Sequence, residues 1–313
     1  MTDDCKLSFN VLLTTANCLL QTLYSCKLAT ADFFSGNRMA KAAHSTSSLA
    51  SQADRHTLYE LSVQCPEAEV DFIEGAFLKL KNRKALSLRE DFCGTAAVCC
   101  EWIKRSSRNN AIGVDLDSEV LEWGKGHHVS QLDSSQERRL TLLNHDVLTV
   151  SSSRVDAIAA MNFSYWLFKE RSLLKRYFKS ACKALVDDGA LFLDAYGGYE
   201  SFQEIEEQRE IDENGHVFTY IWEQEHFNPV DNGLICSIHF AFGDGSRTER
   251  AFHYDWRLWT LPEIGDLLLE CGFSKVTTFW QGFDEDGDGD GDFKPVTSAD
   301  ADAGWICYLV AEK

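Results

Sequence analysis

The chain has 313 residues, 44% of them hydrophobic, enough apolar material for the core of one enzyme-sized domain with a terminal extension. Thirty Lys and Arg stand against 49 Asp and Glu, a formal charge of -19, which disfavours any binding that rests on neutralising phosphates, so a nucleic-acid partner is not expected. No apolar run is long enough to span a membrane, and the 11 cysteines, with no CxxC pair or zinc-like spacing, argue against a disulfide framework and a metal site.

Residues 1–52 read as an N-terminal extension. From Cys5 to Ala53 the chain is rich in Ser, Thr and Ala and sets Lys6, Lys27, Arg38 and Lys41 against the acid Asp32, around an apolar stretch from Phe9 to Leu23. An organellar transit peptide has this composition, although Asp3 and Asp4 count against one, and a helical cap on the domain fits equally well. The reduced cytoplasm is the expected compartment, with a mitochondrion or plastid as the alternative. The domain is expected over 53–313, opening with a helix from Ala53 to Gln64 that leads to the first strand.

Leu86 to Asp115 reads as strand, turn, helix, strand. The turn Glu90-Asp91-Phe92-Cys93-Gly94-Thr95-Ala96 runs straight into the helix, and Asp115 waits at the tip of the next strand. A helix N-terminus facing a cleft collects polar ligand groups, and a carboxylate at the following strand tip takes both hydroxyls of a ribose. A pyrophosphate needs the close backbone approach of G-x-G-x-x-G, whereas this turn holds only Gly94 and adds the acidic pair Glu90 and Asp91. The expected ligand is therefore nucleoside-like, with an amino-acid end rather than a phosphate. Ala111 to Leu121 continues as strand and helix, with Asp117 as N-cap, and Leu142-Leu143-Asn144-His145-Asp146-Val147 closes a third strand on Asp146.

Val155–Met161 and Gly189–Tyr196 are apolar runs of the buried parallel-strand kind, and Glu170 to Leu185 between them has helical periodicity. The alternation predicts an α/β fold built on a doubly wound sheet. Asn162-Phe163-Ser164-Tyr165-Trp166 follows the fourth strand, and it lacks both prolines of the Asn-Pro-Pro-Tyr signature of amino-methylating nucleic-acid enzymes. After the fifth strand the rhythm breaks. His216–Phe227, Leu234–Gly243 and Thr248–Trp256 alternate as antiparallel strands joined by turn formers, an insert of about 216–256 placed to roof a cleft. Trp222, Tyr254 and Trp256 in that insert, with Tyr196, are rings suited to holding an amine or methylated cation. Thr260-Leu261-Pro262-Glu263 opens a helix that Gly272 closes, and strands are expected at Lys275–Gln281 and Trp305–Val310. Asp284–Asp292 alternates acid and glycine, but an EF-hand frame from Asp286 puts Thr297 where the bidentate Glu belongs, so an acidic loop is expected rather than a calcium site. The histidines form no HxxxH or triad pattern.

Cys93-Gly94-Thr95, with Glu90 at the acidic position and Phe92 and Ala96 at two glycine positions, resembles the first motif of the class I S-adenosylmethionine (SAM)-dependent methyltransferases. Ala111–Leu121 looks like their second motif and Leu142–Val147 like their third-strand loop. Leu88-Arg89-Glu90-Asp91-Phe92-Cys93-Gly94-Thr95-Ala96 and Tyr254-Asp255-Trp256-Arg257-Leu258-Trp259 are similar to a bacterial-type group within that family. The resemblance covers roughly Ala53 to the C-terminus and implies the Rossmann-like sheet of that family with SAM as cofactor. It places Glu90 or Asp91, Cys93 and Gly94 at the methionine end, Asp115 on the ribose, Asp146 and Val147 at the adenine, and Asn162, Tyr165 and Trp166 beside the acceptor. The expected activity is methyl transfer to a small molecule or protein side chain. The alternatives are an NAD-linked oxidoreductase and a non-catalytic SAM- or partner-binding module.

Overall fold

A computed structural model describes residues 47–213, 215–283 and 289–313, so most of the extension, and with it the choice between transit peptide and cap, lies outside the described residues. The described residues open with three helices, α1 (Leu49–Gln52), α2 (Arg55–Val63) and α3 (Pro66–Lys81), before β1 (Ser87–Asp91), α4 (Ala97–Arg105) and β2 (Asn110–Asp115). Then come α5 (Ser118–His127), α6 (Ser134–Glu137), β3 (Leu140–Asn144), β4 (Val155–Ala160), α7 (Arg171–Ala184) and β5 (Leu185–Gly197). An antiparallel unit follows, β6 (Ile205–Glu213), β7 (His216–Asn228), β8 (Gly233–Phe242) and β9 (Arg247–Arg257). The chain closes with α8 (Leu261–Glu270), β10 (Lys275–Phe283), β11 (Gly289–Val296) and β12 (Trp305–Glu312).

The main sheet has the order β11-β10-β12-β5-β4-β1-β2-β3, and β6 to β9 form a separate sheet. From β5 to β3 all neighbours are parallel, while β12, β10 and β11 join antiparallel at one edge. This is the expected α/β architecture. Chain order reverses between β4 and β1, so their carboxyl ends frame the crevice in which such sheets bind ligands. Buried clusters lie on both faces of the sheet. One gathers Val70, Ile73 and Phe77 of α3 with Trp102 and Ile103 of α4, and the other joins Tyr177 and Phe178 of α7 and Leu267 of α8 to the inner face of the insert.

Three elements differ from the expectation. The stretch ahead of β1 holds α3 as well as α2, signalled by Pro66 at the helix start, Glu67 and Glu69 in the first turn, Lys79 and Lys81 in the last, and Asn82 left-handed at the C-cap. The insert sheet begins at β6, not at His216, because Ile205, Glu207, Arg209 and Ile211 alternate with still more exposed charge and so hide the strand's apolar face. β11 pairs with β10 over part of the segment expected as an acidic loop; Lys294 there neutralises Asp292 at 2.9 Å. The rest of that segment, residues 284–288, lies outside the described residues, and so does its calcium frame.

The sheet is tied to its first crossover by close backbone packing. A Cβ added at Gly124 of α5 would lie 2.1 Å from the Thr95 carbonyl oxygen in the β1–α4 turn. Helix propensity favours Gly124→Ala by at most about 1 kcal/mol, whereas a backbone clash of this kind costs about 2 kcal/mol or more. The net loss of about 1 kcal/mol or more is expected to lower the melting temperature by roughly 2–4 °C or more; thermal denaturation followed by circular dichroism checks this, and a higher midpoint would contradict the packing.

Candidate active site

The β1–α4 turn keeps a glycine-like path without the glycines. Phe92, Gly94 and Ala96 are all left-handed, at φ 61°, 51° and 61°. The first and third are the positions where the resemblance expects Gly, so the backbone retains the shape at a cost of roughly 1–2 kcal/mol for each non-glycine residue. Packing offsets that strain: Phe92 sits 5.9 and 5.7 Å from the rings of Phe168 and Tyr177, and Ala96 is fully buried. Gly94 has open space where a Cβ would point, leaving its backbone free to face a ligand.

The acids of the turn separate by strand alternation. Asp91 turns into the core, where it meets Arg89 at 2.8 Å with neither side chain exposed, and accepts a 3.0 Å bond from the Tyr177 hydroxyl. That ion pair takes Asp91 out of the cleft and corrects its assignment to the ligand. Glu90 points to the other face and accepts from the Cys99 amide at 3.0 Å. It thereby caps α4, whose own N-cap, Ala96, has no side chain able to do so. Burial pushes the Glu90 carboxyl up to about 7, against the lowering pull of the Cys99 bond. Cys93 is buried, donates its amide to Val114 at 3.1 Å, and carries a thiol that burial raises far above its usual range.

Asp115, at the tip of β2, is joined to the turn. Its Oδ2 accepts the Gly94 amide at 2.8 Å and its Oδ1 the Asp117 amide at 2.9 Å. Burial raises its pKa and these donors lower it. Asp117 caps α5 through the Glu119 and Val120 amides. Past β3, Asp146 is half-buried, accepts the Leu148 amide at 2.8 Å, and precedes the buried Val147. Strand tips β1, β2 and β3 thus carry Gly94, Asp115 and Asp146 in spatial order.

The end of β4 holds a second strained pair, Asn162 and Phe163 at φ 57° and 55°. Asp194 of β5 fixes it, accepting the Asn162 amide at 2.6 Å on one oxygen and the Phe163 amide at 2.9 Å on the other. Asp194 is buried, which pushes its carboxyl up to about 7 against those same amide bonds. Tyr165 donates its hydroxyl to the Asp194 carbonyl at 2.8 Å. Tyr165 and Trp166 are each 0% exposed, so neither presents a surface to an acceptor; apolar packing beneath the turn claims both, which corrects their placement beside the acceptor. Asn162 alone of the three lines a cavity.

That cavity, about 40 Å³, lies between the turn, α2 and the insert. Tyr59 and Val63 enter from α2, Asn162 and Phe163 from the β4 end, and Tyr220, Trp222, Ile238, Tyr254 and Trp256 from the insert. The sequence reading missed Tyr59, Tyr220 and Asp194. An acid inside the apolar strand Gly189–Tyr196 was the available signal for Asp194, and none marked Tyr59, which reaches the site only through the fold. The next residue, Glu60, accepts from the Thr95 hydroxyl and meets His128 Nε2, both at 2.6 Å. Helix α2 therefore touches the β1–α4 turn with one residue and the aromatic cavity with its neighbour.

No family model matches the chain, and no curated protein matches it in sequence. Among solved structures it is similar to a SAM-dependent methyltransferase from Clostridium acetobutylicum, with TM-score 0.60 and 18% identity over 82% of this chain and 96% of that one. It is also similar to CalS10, an amino pentose methyltransferase from Micromonospora echinaspora, with TM-score 0.60 and 12% identity over 86% and 99% of the two chains. The sugar N-methyltransferase KedS8 from Streptoalloteichus gives TM-score 0.58 and 14% identity over 88% and 99%. The chain has the Rossmann-like methyltransferase fold.

In this methyltransferase fold a larger cleft, about 360 Å³, opens between α3 and the β10–β11 edge beside Phe72, Phe279 and Tyr308. Those walls come from the antiparallel edge and not from the tips of β1, β2 and β4, so it is set aside as the cofactor site. On the outer face of the insert His239, 5% exposed, lies 2.6 Å from Glu249 and 2.9 Å from Glu223. With Glu225 it makes a group of metal-like spacing among the described residues. Strand alternation directs this group away from the cavity, because Ile238 points inward and His239 outward. His253 also lies on the outer face, 3.0 Å from Ser237. No helix among the described residues is long and apolar enough to cross a membrane.

Proposed function

We propose that the protein is a SAM-dependent methyltransferase acting on a small-molecule acceptor. The observation that carries this reading is the meeting of Gly94 and Asp115 at the tips of β1 and β2, with open space over Gly94 and a strained turn at the adjoining end of β4. The residues suit the donor: Asp115 offers carboxylate oxygens to a ribose, Asp146 and Val147 an acceptor and an apolar surface to an adenine, and the Gly94 backbone an approach for the methionine end. Glu90, Cys93 and Thr95 hold that turn in shape. When bound, the donor supplies an electrophilic methyl on a sulfonium; the chain's part is to orient the acceptor, exclude water and fix the line of attack.

The insert supports a small acceptor because, with α2, it closes the cavity on several sides and leaves about 40 Å³. The structural neighbours include enzymes named for amino pentose and sugar N-methylation, which supports the same class. A protein side chain is the other acceptor in keeping with methyl transfer. Incubating the protein with tritiated SAM and a fractionated cell extract tests the reading. Label moving into a low-mass fraction is expected; NAD binding without SAM binding would favour an oxidoreductase, and SAM binding without transfer a sensor.

A further inference from the structure

We infer that the acceptor is an amine that arrives as its free base and leaves as a methylated ammonium held by the insert's rings, an inference that rests on the methyl-transfer reading above. Tyr254 and Trp256 stack at 4.4 Å between centroids, and Trp222 lies 6.1 and 6.3 Å from them. These fixed rings border a space that their own packing leaves unfilled, and Tyr59 and Tyr220 add two more. A ring face attracts a cation through its quadrupole, most strongly where water is excluded. By volume the space admits an amino group with its methyl substituents rather than a whole sugar ring.

The lining also selects the nucleophile. None of its nine residues is a carboxylate, an imidazole or a basic side chain. Burial raises the Tyr59, Tyr220 and Tyr254 phenols above their usual range, so they do not act as bases near neutral pH. Asp194, the acid beneath the turn, already accepts two backbone amides. A hydroxyl acceptor must lose its proton in the transition state and finds no base here. An amine needs none: its lone pair forms the new N–C bond, the C–S bond breaks with its pair going to sulfur, and the single positive charge passes from sulfur to nitrogen. The surplus N–H proton then leaves to water. Charge is conserved through the step, so rings that favour a cation remain matched to the product.

Two readouts test this. Titrating the full chain with dimethylammonium and with propan-2-ol, of similar size, and following tryptophan fluorescence, should show about tenfold tighter binding of the ammonium. The preference should vanish in Trp256→Leu and Tyr254→Leu and persist in Trp256→Phe, which keeps a ring and guards against a folding artefact. Mass spectrometry of extract incubated with deuteromethyl SAM should place the label on nitrogen, and the dissociation constant of that methylated product should rise about tenfold in Tyr254→Leu while SAM affinity stays unchanged. Equal binding of ammonium and alcohol, or a label on oxygen, overturns the inference. Failure of the protein to bind SAM at all would instead overturn the reading on which it rests.

Discussion

Asp115→Ala weakens SAM binding by about a hundredfold or more, because charge-assisted hydrogen bonds from two ribose hydroxyls are each worth about 1.5–3 kcal/mol. The same change releases the Gly94 and Asp117 amides that Asp115 now fixes at 2.8 and 2.9 Å, so the turn loses preorganisation as well as a ligand contact. Asp115→Asn keeps one acceptor and the side-chain shape, and belongs between the two. Calorimetric titration separates them, and an unchanged dissociation constant for Asp115→Ala would refute the ribose assignment. Stability should fall much less than affinity, since the carboxylate is only half-buried.

Asp194→Ala lowers stability by about 3–5 kcal/mol. Each buried amide left without its acceptor costs about 1–3 kcal/mol, and the two left-handed residues Asn162 and Phe163 lose what holds them in place. Turnover should collapse with it, because Asn162 lines the cavity. The same residue sets a pH dependence. Its folded pKa, about 7, stands above the ordinary 3.8, so the folded state binds the proton more tightly than the unfolded chain does. The stability linked to that proton is fully present below pH 3.8 and is lost as pH rises through 7, an effect on the order of 4 kcal/mol. Glu90, raised from 4.5 to about 7, acts with the same sign. Chemical denaturation at a series of pH values should show stability falling from pH 4 to 7 and levelling above, with a shallower fall in Asp194→Asn. A slope unaltered by that substitution would contradict the assignment.

The parts of the fold that could be read from sequence were those whose local chemistry agrees with their tertiary role. Thr260 and Glu263 form the capping box that their spacing announces, Asp117 caps α5, and the apolar runs of β4 and β5 are buried on both faces. Glycine counting was a poorer guide. Phe92 and Ala96 hold the left-handed backbone that glycine would adopt freely, since aromatic packing and burial outweigh a steric cost of 1–2 kcal/mol each. Spacing places a residue on a strand tip without saying which way it faces. Asp91 and Glu90 are neighbours, yet alternation sends one to Arg89 and the other to the first turn of α4. Tyr165 and Trp166 sit in a segment of the right position and are drawn under it by apolar burial. The aromatic cavity is assembled from α2, the β4 turn and the insert, which lie far apart in the chain, so Asn162, Trp222, Tyr254 and Trp256 were visible beforehand while Tyr59 and Tyr220 were not.

A crystal structure of the protein with S-adenosylhomocysteine tests the central claim most directly. The account predicts the adenosyl group across the tips of β1 to β3, ribose hydroxyls on Asp115, adenine against Asp146 and Val147, and sulfur facing the Asn162–Phe163 turn. Density for the compound anywhere else, or a cleft over Gly94 filled by the protein's own atoms, would contradict it.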